Sequence, residues 1–123
     1  MANILVVDDN ALFVKAQGEF LCRSGHTVST AANGKAAMDL VARNDFDLVI
    51  TDLIMPEKEG LETILAVKRA APTIKIIAMS GGTVWMDSKD NLSIARMFGA
   101  SLTIAKPFSG QALIDAITQV LSQ

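Results

Sequence analysis

Short apolar runs that end abruptly at a polar residue recur along this chain, and they restrict its fold more than any other feature. Ile4–Val7 stops at Asp8 and Asp9, and Asp47–Thr51 stops at Asp52. Continuous apolar runs without polar alternation are typical of strands that are covered on both faces. The remaining runs are Thr27–Ala31, which is weaker and alternating, Ile74–Met79 before Ser80, and Ser101–Ala105 before Lys106.

Helical periodicity fills the intervals between these runs. Leu12, Ala16 and Phe20 recur every four residues, the spacing of one helix face, and Gly25 follows as a C-terminal stop. Four further helices are predicted around Ala37–Val41 after the cap Asn33, around Leu61–Lys68 before Pro72, from Lys89 to Phe98, and around Leu113–Leu121 after the cap Ser109.

Five strands that alternate with five helices predict one α/β domain over residues 1–123. Right-handed crossovers then give a doubly wound, five-stranded parallel sheet of the flavodoxin-like kind, with strand order 2-1-3-4-5. Half of the residues are hydrophobic, which is ample for one buried core. In this strand order ligands bind beyond the carboxyl ends of strands 1 and 3.

Five polar side chains are expected to meet at that edge of the sheet. Asp8, Asp9 and Asp52 follow the first and third strands, while Ser80 and Lys106 follow the fourth and fifth. Each residue alone has an ordinary explanation as a turn, a helix cap or a solvated lysine. Their joint placement favours chemistry, because three carboxylates in one cleft repel each other unless a cation such as Mg²⁺ intervenes. A metal, a hydroxyl and an ammonium together suit phosphoryl transfer.

Charge and cysteine content argue against several classes of partner and location. Eleven Lys and Arg against 13 Asp and Glu give a net charge of −2. This balance lacks the excess of positive charge that is typical of nucleic-acid-binding proteins. No apolar run approaches the roughly 20 residues of a membrane span. Cys22 is the single cysteine, so we expect a reducing, cytoplasmic setting without a disulfide.

The chain resembles the receiver domains of two-component response regulators along essentially its whole length. The motifs that establish the resemblance are Val6-Val7-Asp8-Asp9-Asn10, Ile50-Thr51-Asp52-Leu53-Ile54-Met55-Pro56 with Gly60 beyond it, Ala78-Met79-Ser80-Gly81, and Ala105-Lys106-Pro107-Phe108. Their combination at these spacings is highly specific for that family.

The resemblance implies a role for each matched position. Asp52 would be the phosphoacceptor, attacking a phosphohistidine on a histidine kinase or a histidine phosphotransfer protein. Asp9, Asp52 and the backbone carbonyl of Ile54 would ligate Mg²⁺, and Asp8 would hold it through water. Lys106 and Ser80 would contact phosphoryl oxygens, and the Lys106–Pro107 bond would be cis. A downstream partner would read the face made by the fourth helix, the fifth strand and the fifth helix.

Two positions depart from the family pattern. Many receivers have an aromatic residue where this chain has Thr103, so the output is expected to rely on backbone shifts or on another side chain instead of an aromatic ring. The stretch between Ser80 and Lys106 is also a few residues longer than is common. Its extra length falls in Gly82–Ser88, where Trp85 is expected either to contact a partner or to pack on the fourth helix.

The function expected from these features is a phosphorylation-activated signalling switch that catalyses only its own phosphorylation and dephosphorylation. The chain ends soon after its last predicted helix, as expected for a free-standing regulator and equally for a receiver cut from a longer one. The alternatives are a phosphorelay shuttle and a receiver-like interaction domain that works without phosphorylation. A haloacid-dehalogenase-type enzyme fits less well, because Ile54 stands where its general acid is needed.

Overall fold

The apolar runs form five parallel strands: β1 (Asn3–Val7), β2 (Thr27–Ala31), β3 (Leu48–Asp52), β4 (Lys75–Ser80) and β5 (Leu102–Ala105). They make a single sheet in the order β2-β1-β3-β4-β5, which confirms the predicted topology. In this computed structural model the described residues are 2–53, 59–80, 93 and 95–123. β3 and β4 extend through Asp52 and Ser80, one residue beyond the apolar runs, so both polar residues belong to the sheet edge itself.

The helices are α1 (Ala11–Arg23), α2 (Gly34–Arg43), α3 (Glu59–Ala70), a segment α4 with residues 93 and 95–98 helical, and α5 (Gly110–Leu121). The predicted caps are confirmed: Asn33 accepts a hydrogen bond from the Ala36 amide, and Ser109 accepts one from the Ala112 amide. Gly25 ends the turn after α1 with a φ of 98°, a conformation that favours glycine. Within the described residues, every helix is too short or too polar to span a membrane.

Side-chain alternation along the strands builds two hydrophobic layers, one on each face of the sheet. In β1, Leu5 and Val7 point to the layer that contains α2 and α3. Ile4 and Val6 point to the opposite layer, which contains α1 and α5. All four side chains are buried, as expected for a strand at the centre of a doubly wound fold. The two layers cover both faces of the sheet beneath its carboxyl edge.

The predicted helix α1 is present, but Leu12, Ala16 and Phe20 do not share one buried face, and only Phe20 of the three packs against the core. Leu12 is 82% exposed, while Val14, Gly18 and Leu21 are the buried residues of α1. A strict spacing of four advances 40° beyond a full turn at each step, so it leaves the face that packs on the sheet. Leu12 also lies in the first turn of α1, close to the carboxyl edge of the sheet.

Lys68 joins α3 to the chain segment that leads into β4. Its Nζ donates a hydrogen bond to the Ile74 carbonyl at 2.6 Å. Burial, together with the positive charge of Lys75, lowers the pKa of Lys68 from its ordinary value of 10.5. The folded protein therefore releases a proton from Lys68 at a lower pH than the unfolded chain does.

This shift predicts a stability difference that grows with pH. Between the lowered pKa and 10.5 the unfolded chain binds more protons at Lys68, so the contribution of Lys68 to folding becomes more favourable as pH rises. We expect the unfolding free energy of the wild type to increase relative to that of Lys68→Met from about pH 7 to about pH 10, measured by urea denaturation. The absence of tyrosine removes one competing titration. A difference that stays constant over this range would contradict this account. In a Lys75→Gln background the increase should be smaller but still present, because burial is the larger cause of the lowered pKa.

Candidate functional site

Three carboxylates lie together at the carboxyl edge of the sheet. Asp8 and Asp9 follow β1, and Asp52 is the last residue of the neighbouring strand β3. One oxygen atom from each of the three groups lies within 4.8 Å of the others. Asp8 and Asp52 are buried, whereas Asp9 is exposed. The structure thus brings together the three acidic residues that the sequence analysis singled out.

Backbone hydrogen bonds fix the position of Asp8 between β1 and α1. Its amide donates to the Ala31 carbonyl at 3.1 Å, which continues the pairing of β1 with β2. Its Oδ1 accepts a hydrogen bond from the Asn10 amide at 2.9 Å. Asn10 in turn caps α1, because its Oδ1 accepts from the Phe13 amide at 3.1 Å. The second oxygen of Asp8, Oδ2, accepts a hydrogen bond from the Lys106 ammonium at 2.7 Å.

Lys106 supplies a positive charge to this cluster. Its Nζ lies 2.7 Å from Oδ2 of Asp8 and 3.5 Å from Oδ2 of Asp52. The lysine follows β5, and the Lys106–Pro107 peptide bond is cis, as predicted. One ammonium therefore partly neutralises two buried carboxylates, which would otherwise repel each other across the cleft.

Ser80 ends β4 beside the lysine. It is buried, and its carbonyl accepts a hydrogen bond from the Lys106 amide at 2.9 Å. This bond extends the register of β4 and β5 by one residue past the pair formed by Ser80 and Ala105. A movement of either residue toward the carboxylates would consequently be transmitted to the other strand. Thr103, the predicted switch position, lies partly buried on β5 opposite Ala78.

The position of Gly60 in the structure explains why the residue beyond the Asp52 motif is a glycine. It lies in the first turn of α3, where a Cβ atom would overlap the carbonyl oxygens of Asp52 and Leu53. The Leu53 amide donates to the Met79 carbonyl at 2.8 Å, so this backbone is also fixed to β4. The close approach of α3 therefore depends on the absence of a side chain at Gly60.

Two predicted features fall on parts of the chain that the structure leaves out of description. The backbone carbonyl of Ile54, predicted as a metal ligand, lies outside the described residues, as does the stretch Gly82–Ser88. The described ligands are hard carboxylate oxygens, which are the atoms that Mg²⁺ and Ca²⁺ prefer. The charge, chemistry and spacing of Asp8, Asp9 and Asp52 therefore fit a divalent cation.

The sequence analysis missed an aromatic pair beside the lysine. The Lys106 Nζ lies 4.2 Å from the ring centroid of Phe13. The Phe108 ring meets that of Phe13 edge-on, with centroids 6.1 Å apart and ring planes at 85°. This contact depends on the rotation of α1 about its axis, which brings Phe13 beside Lys106 and which the four-residue spacing at Leu12 did not reveal.

This fold and this set of polar side chains define the class of CheY-like α/β proteins. Residues 4–118 match the family described as the response regulator receiver domain, and the chain belongs to that family. Its members serve phosphorylation-based signalling in two-component systems. A solved member of the class, the CheY-like receiver domain protein from Methanospirillum hungatei JF-1, is 25% identical with a TM-score of 0.89. The match covers 99% of this chain and 94% of that one.

Two regulators of known description are similar to this chain. The DNA-binding transcriptional regulator NtrC of Azospirillum brasilense is 32% identical over 98% of this chain and 24% of its own length. The response regulator SaeR of Staphylococcus aureus strain USA300 is 30% identical over 100% of this chain and 52% of its own length. The chain thus spans about a quarter of one relative and about half of the other.

Proposed function

We propose that this domain accepts a phosphoryl group on Asp52 from a histidine kinase or a histidine phosphotransfer protein. The observation that supports this most is the position of the Lys106 ammonium, 2.7 Å from Asp8 and 3.5 Å from Asp52 at the open edge of the sheet. A cation beside a buried carboxylate is suited to stabilise the negative charge of a phosphoryl group transferred to that carboxylate. The family membership of the chain supports the same chemistry.

In the proposed reaction, an Asp52 carboxylate oxygen attacks the phosphorus atom of a phosphohistidine. The new P–O bond forms as the P–N bond breaks, and the released imidazole keeps the bonding electron pair and takes a proton from solvent. Lys106 pairs with one phosphoryl oxygen, and the Ser80 hydroxyl donates to another. Water then hydrolyses the acyl phosphate, which restores the Asp52 carboxylate and releases inorganic phosphate, so the domain catalyses only its own phosphorylation and dephosphorylation.

A Mg²⁺ ion would complete the site. Asp9 and Asp52 would bind it directly with the Ile54 carbonyl, and Asp8 would hold it through water. When bound, it would neutralise charge on the carboxylates and on the phosphoryl oxygens. The three carboxylate oxygens within 4.8 Å of one another support this assignment. Asp8 would then divide its two oxygens between the hydrated cation, Lys106 and the Asn10 amide.

We propose that the signal leaves through α4, β5 and α5. The phosphoryl group carries roughly −1.5 to −2 charges and new acceptor oxygens, which attract Lys106 and the Ser80 hydroxyl toward Asp52. Ser80 ends β4, Lys106 directly follows β5, and the two share a backbone hydrogen bond, so their displacement would move β5 and the elements packed on it. Met97 of α4 is 84% exposed and offers a downstream partner an apolar contact. Thr103 would respond by a shift of β5 rather than by rotation of an aromatic ring.

A small phosphodonor tests the chemistry of the site without a partner protein. After incubation with acetyl phosphate and Mg²⁺, intact-protein mass spectrometry is expected to show a single phosphoryl adduct on the wild type. The adduct should be absent when EDTA removes the metal. Beryllofluoride, a phosphoryl mimic, is expected to bind under the same conditions and covers the case of a short-lived phosphate. If the protein bound neither the phosphoryl group nor the mimic, the remaining interpretation would be a receiver-shaped interaction domain.

We place this chemistry in the cytoplasm, supported by the single cysteine.

A further inference from the structure

We propose that Phe13 is a positioning residue for Lys106. The Lys106 Nζ lies 4.2 Å from the centroid of the Phe13 ring, well inside the range in which an ammonium is attracted to an aromatic face. This ring is thus a third contact of the ammonium, in addition to the carboxylates of Asp8 and Asp52. The contact between the ring and the ammonium is observed directly, whereas its effect on phosphorylation rests on the proposed function.

Contacts on two sides hold the Phe13 ring in place. Its backbone amide donates to the Asn10 side chain at 3.1 Å, which ties Phe13 to the start of α1. The ring itself meets Phe108 edge-on, at 6.1 Å between centroids. Phe108 is only two residues beyond Lys106, so the chain segment that carries the ammonium also carries the ring that packs against Phe13. A ring held in this way is preorganised for its contact with the ammonium.

The aromatic contact holds the ammonium in place under conditions in which the carboxylates alone would not. The Lys106 side chain is 24% exposed, so its long stem has room to turn its ammonium toward solvent. A divalent cation at the carboxylates would weaken the attraction of Asp8 for Lys106, because both cations draw on the same negative charge. The quadrupole of the Phe13 ring is unaffected by that competition. Phe13 therefore keeps Lys106 beside Asp52 in the metal-loaded state, when the phosphodonor arrives.

Stepwise fluorination of Phe13 tests this role with almost no change of shape. Site-specific incorporation of mono-, di- and trifluorophenylalanine reduces the negative potential of the ring face in steps, while the ring keeps its packing. With saturating Mg²⁺ and acetyl phosphate, we expect kcat/KM for phosphorylation to fall progressively, to about fivefold below wild type for the trifluoro ring. The same series at Phe20 is the matched control, because this residue is on the same helix and packs against Gly110. Its kcat/KM should remain within the experimental error of wild type.

A direct measurement of the lysine separates this inference from the proposed function. In proton NMR spectra, the Lys106 ε-methylene protons should be shifted upfield by the Phe13 ring, and Phe13→Leu should remove that shift. Phe13→Trp, which offers a stronger aromatic face, should retain both the upfield shift and the phosphorylation rate. Normal ε-proton shifts in the wild type, or a flat fluorination series in a protein that is phosphorylated, would overturn the positioning role. A retained upfield shift in a protein that binds neither phosphoryl group nor beryllofluoride would support the positioning role and refute the proposed function.

Discussion

Replacing Lys106 with methionine is expected to lower the free energy of unfolding by about 3 kcal/mol when divalent cations are absent. The Asp8 side chain is 1% exposed and meets the Lys106 ammonium at 2.7 Å, so the substitution leaves a buried carboxylate without its ion-pair partner. Asp52, a second buried carboxylate, loses the same ammonium at 3.5 Å. Methionine retains a long apolar stem, which limits the loss of packing. The expected effect is therefore mainly electrostatic.

The same variant should gain more from Mg²⁺ than the wild type does. The ammonium and the metal neutralise the same carboxylates, so removal of one increases the affinity of the site for the other. A ligand that binds only the folded state stabilises it by RT ln(1 + L/Kd), where L is the free ligand concentration, so tighter binding gives a larger gain at the same Mg²⁺ concentration. Urea denaturation in EDTA and in Mg²⁺ measures both effects, with Lys15→Met, an exposed lysine of α1, as the control. Equal Mg²⁺ gains in variant and wild type would show that the two cations do not share this site.

Replacing Gly60 with alanine is expected to destabilise the fold by about 3 kcal/mol, at the upper end of overpacking effects. The added Cβ would overlap the carbonyl oxygens of Asp52 and Leu53, and these are backbone atoms that cannot rotate away. α3 would have to move outward, and the end of β3 that presents Asp52 would move with it. We therefore expect a lower urea midpoint together with weaker beryllofluoride binding.

Gly18→Ala is the matched control for this substitution. Gly18 lies inside α1, and a Cβ there would meet only Thr30 Cγ2 at 3.7 Å and Val28 Cγ1 at 3.8 Å, which are ordinary contacts. Alanine is the better helix former, so this change should raise stability by about 0.5–1 kcal/mol. If the two glycines responded alike, the close approach of α3 to the Asp52 backbone would not be the reason for Gly60.

The topology was predictable because two independent features restrict it. Continuous apolar runs such as Ile4–Val7 indicate burial on both faces, and the handedness of crossovers leaves few ways to order five such strands. Strand ends were less certain, since Asp52 and Ser80 are polar and yet belong to β3 and β4. Backbone pairing continues past the last apolar residue, and hydropathy alone does not record it.

The candidate site was predictable where topology decides position. Asp8, Asp9 and Asp52 are brought together by the parallel pairing of β1 with β3, whatever their side chains do. Contacts between helices depend instead on the rotation of each helix about its axis. A four-residue spacing at Leu12 misjudged that rotation for α1, and the aromatic contact of Phe13 with the lysine was missed for the same reason.

Chemical trapping of the phosphorylated residue tests the central claim most directly. Borohydride reduces an acyl phosphate to an alcohol with loss of phosphate, so a phosphorylated aspartate becomes homoserine and can be located by peptide mass spectrometry. After treatment with acetyl phosphate and Mg²⁺, we predict homoserine at position 52, and none in samples prepared with EDTA or from Asp52→Asn. Homoserine at Asp8 or Asp9 instead, or a phosphoryl adduct that borohydride leaves unchanged, would contradict the assignment of Asp52 as the phosphoacceptor.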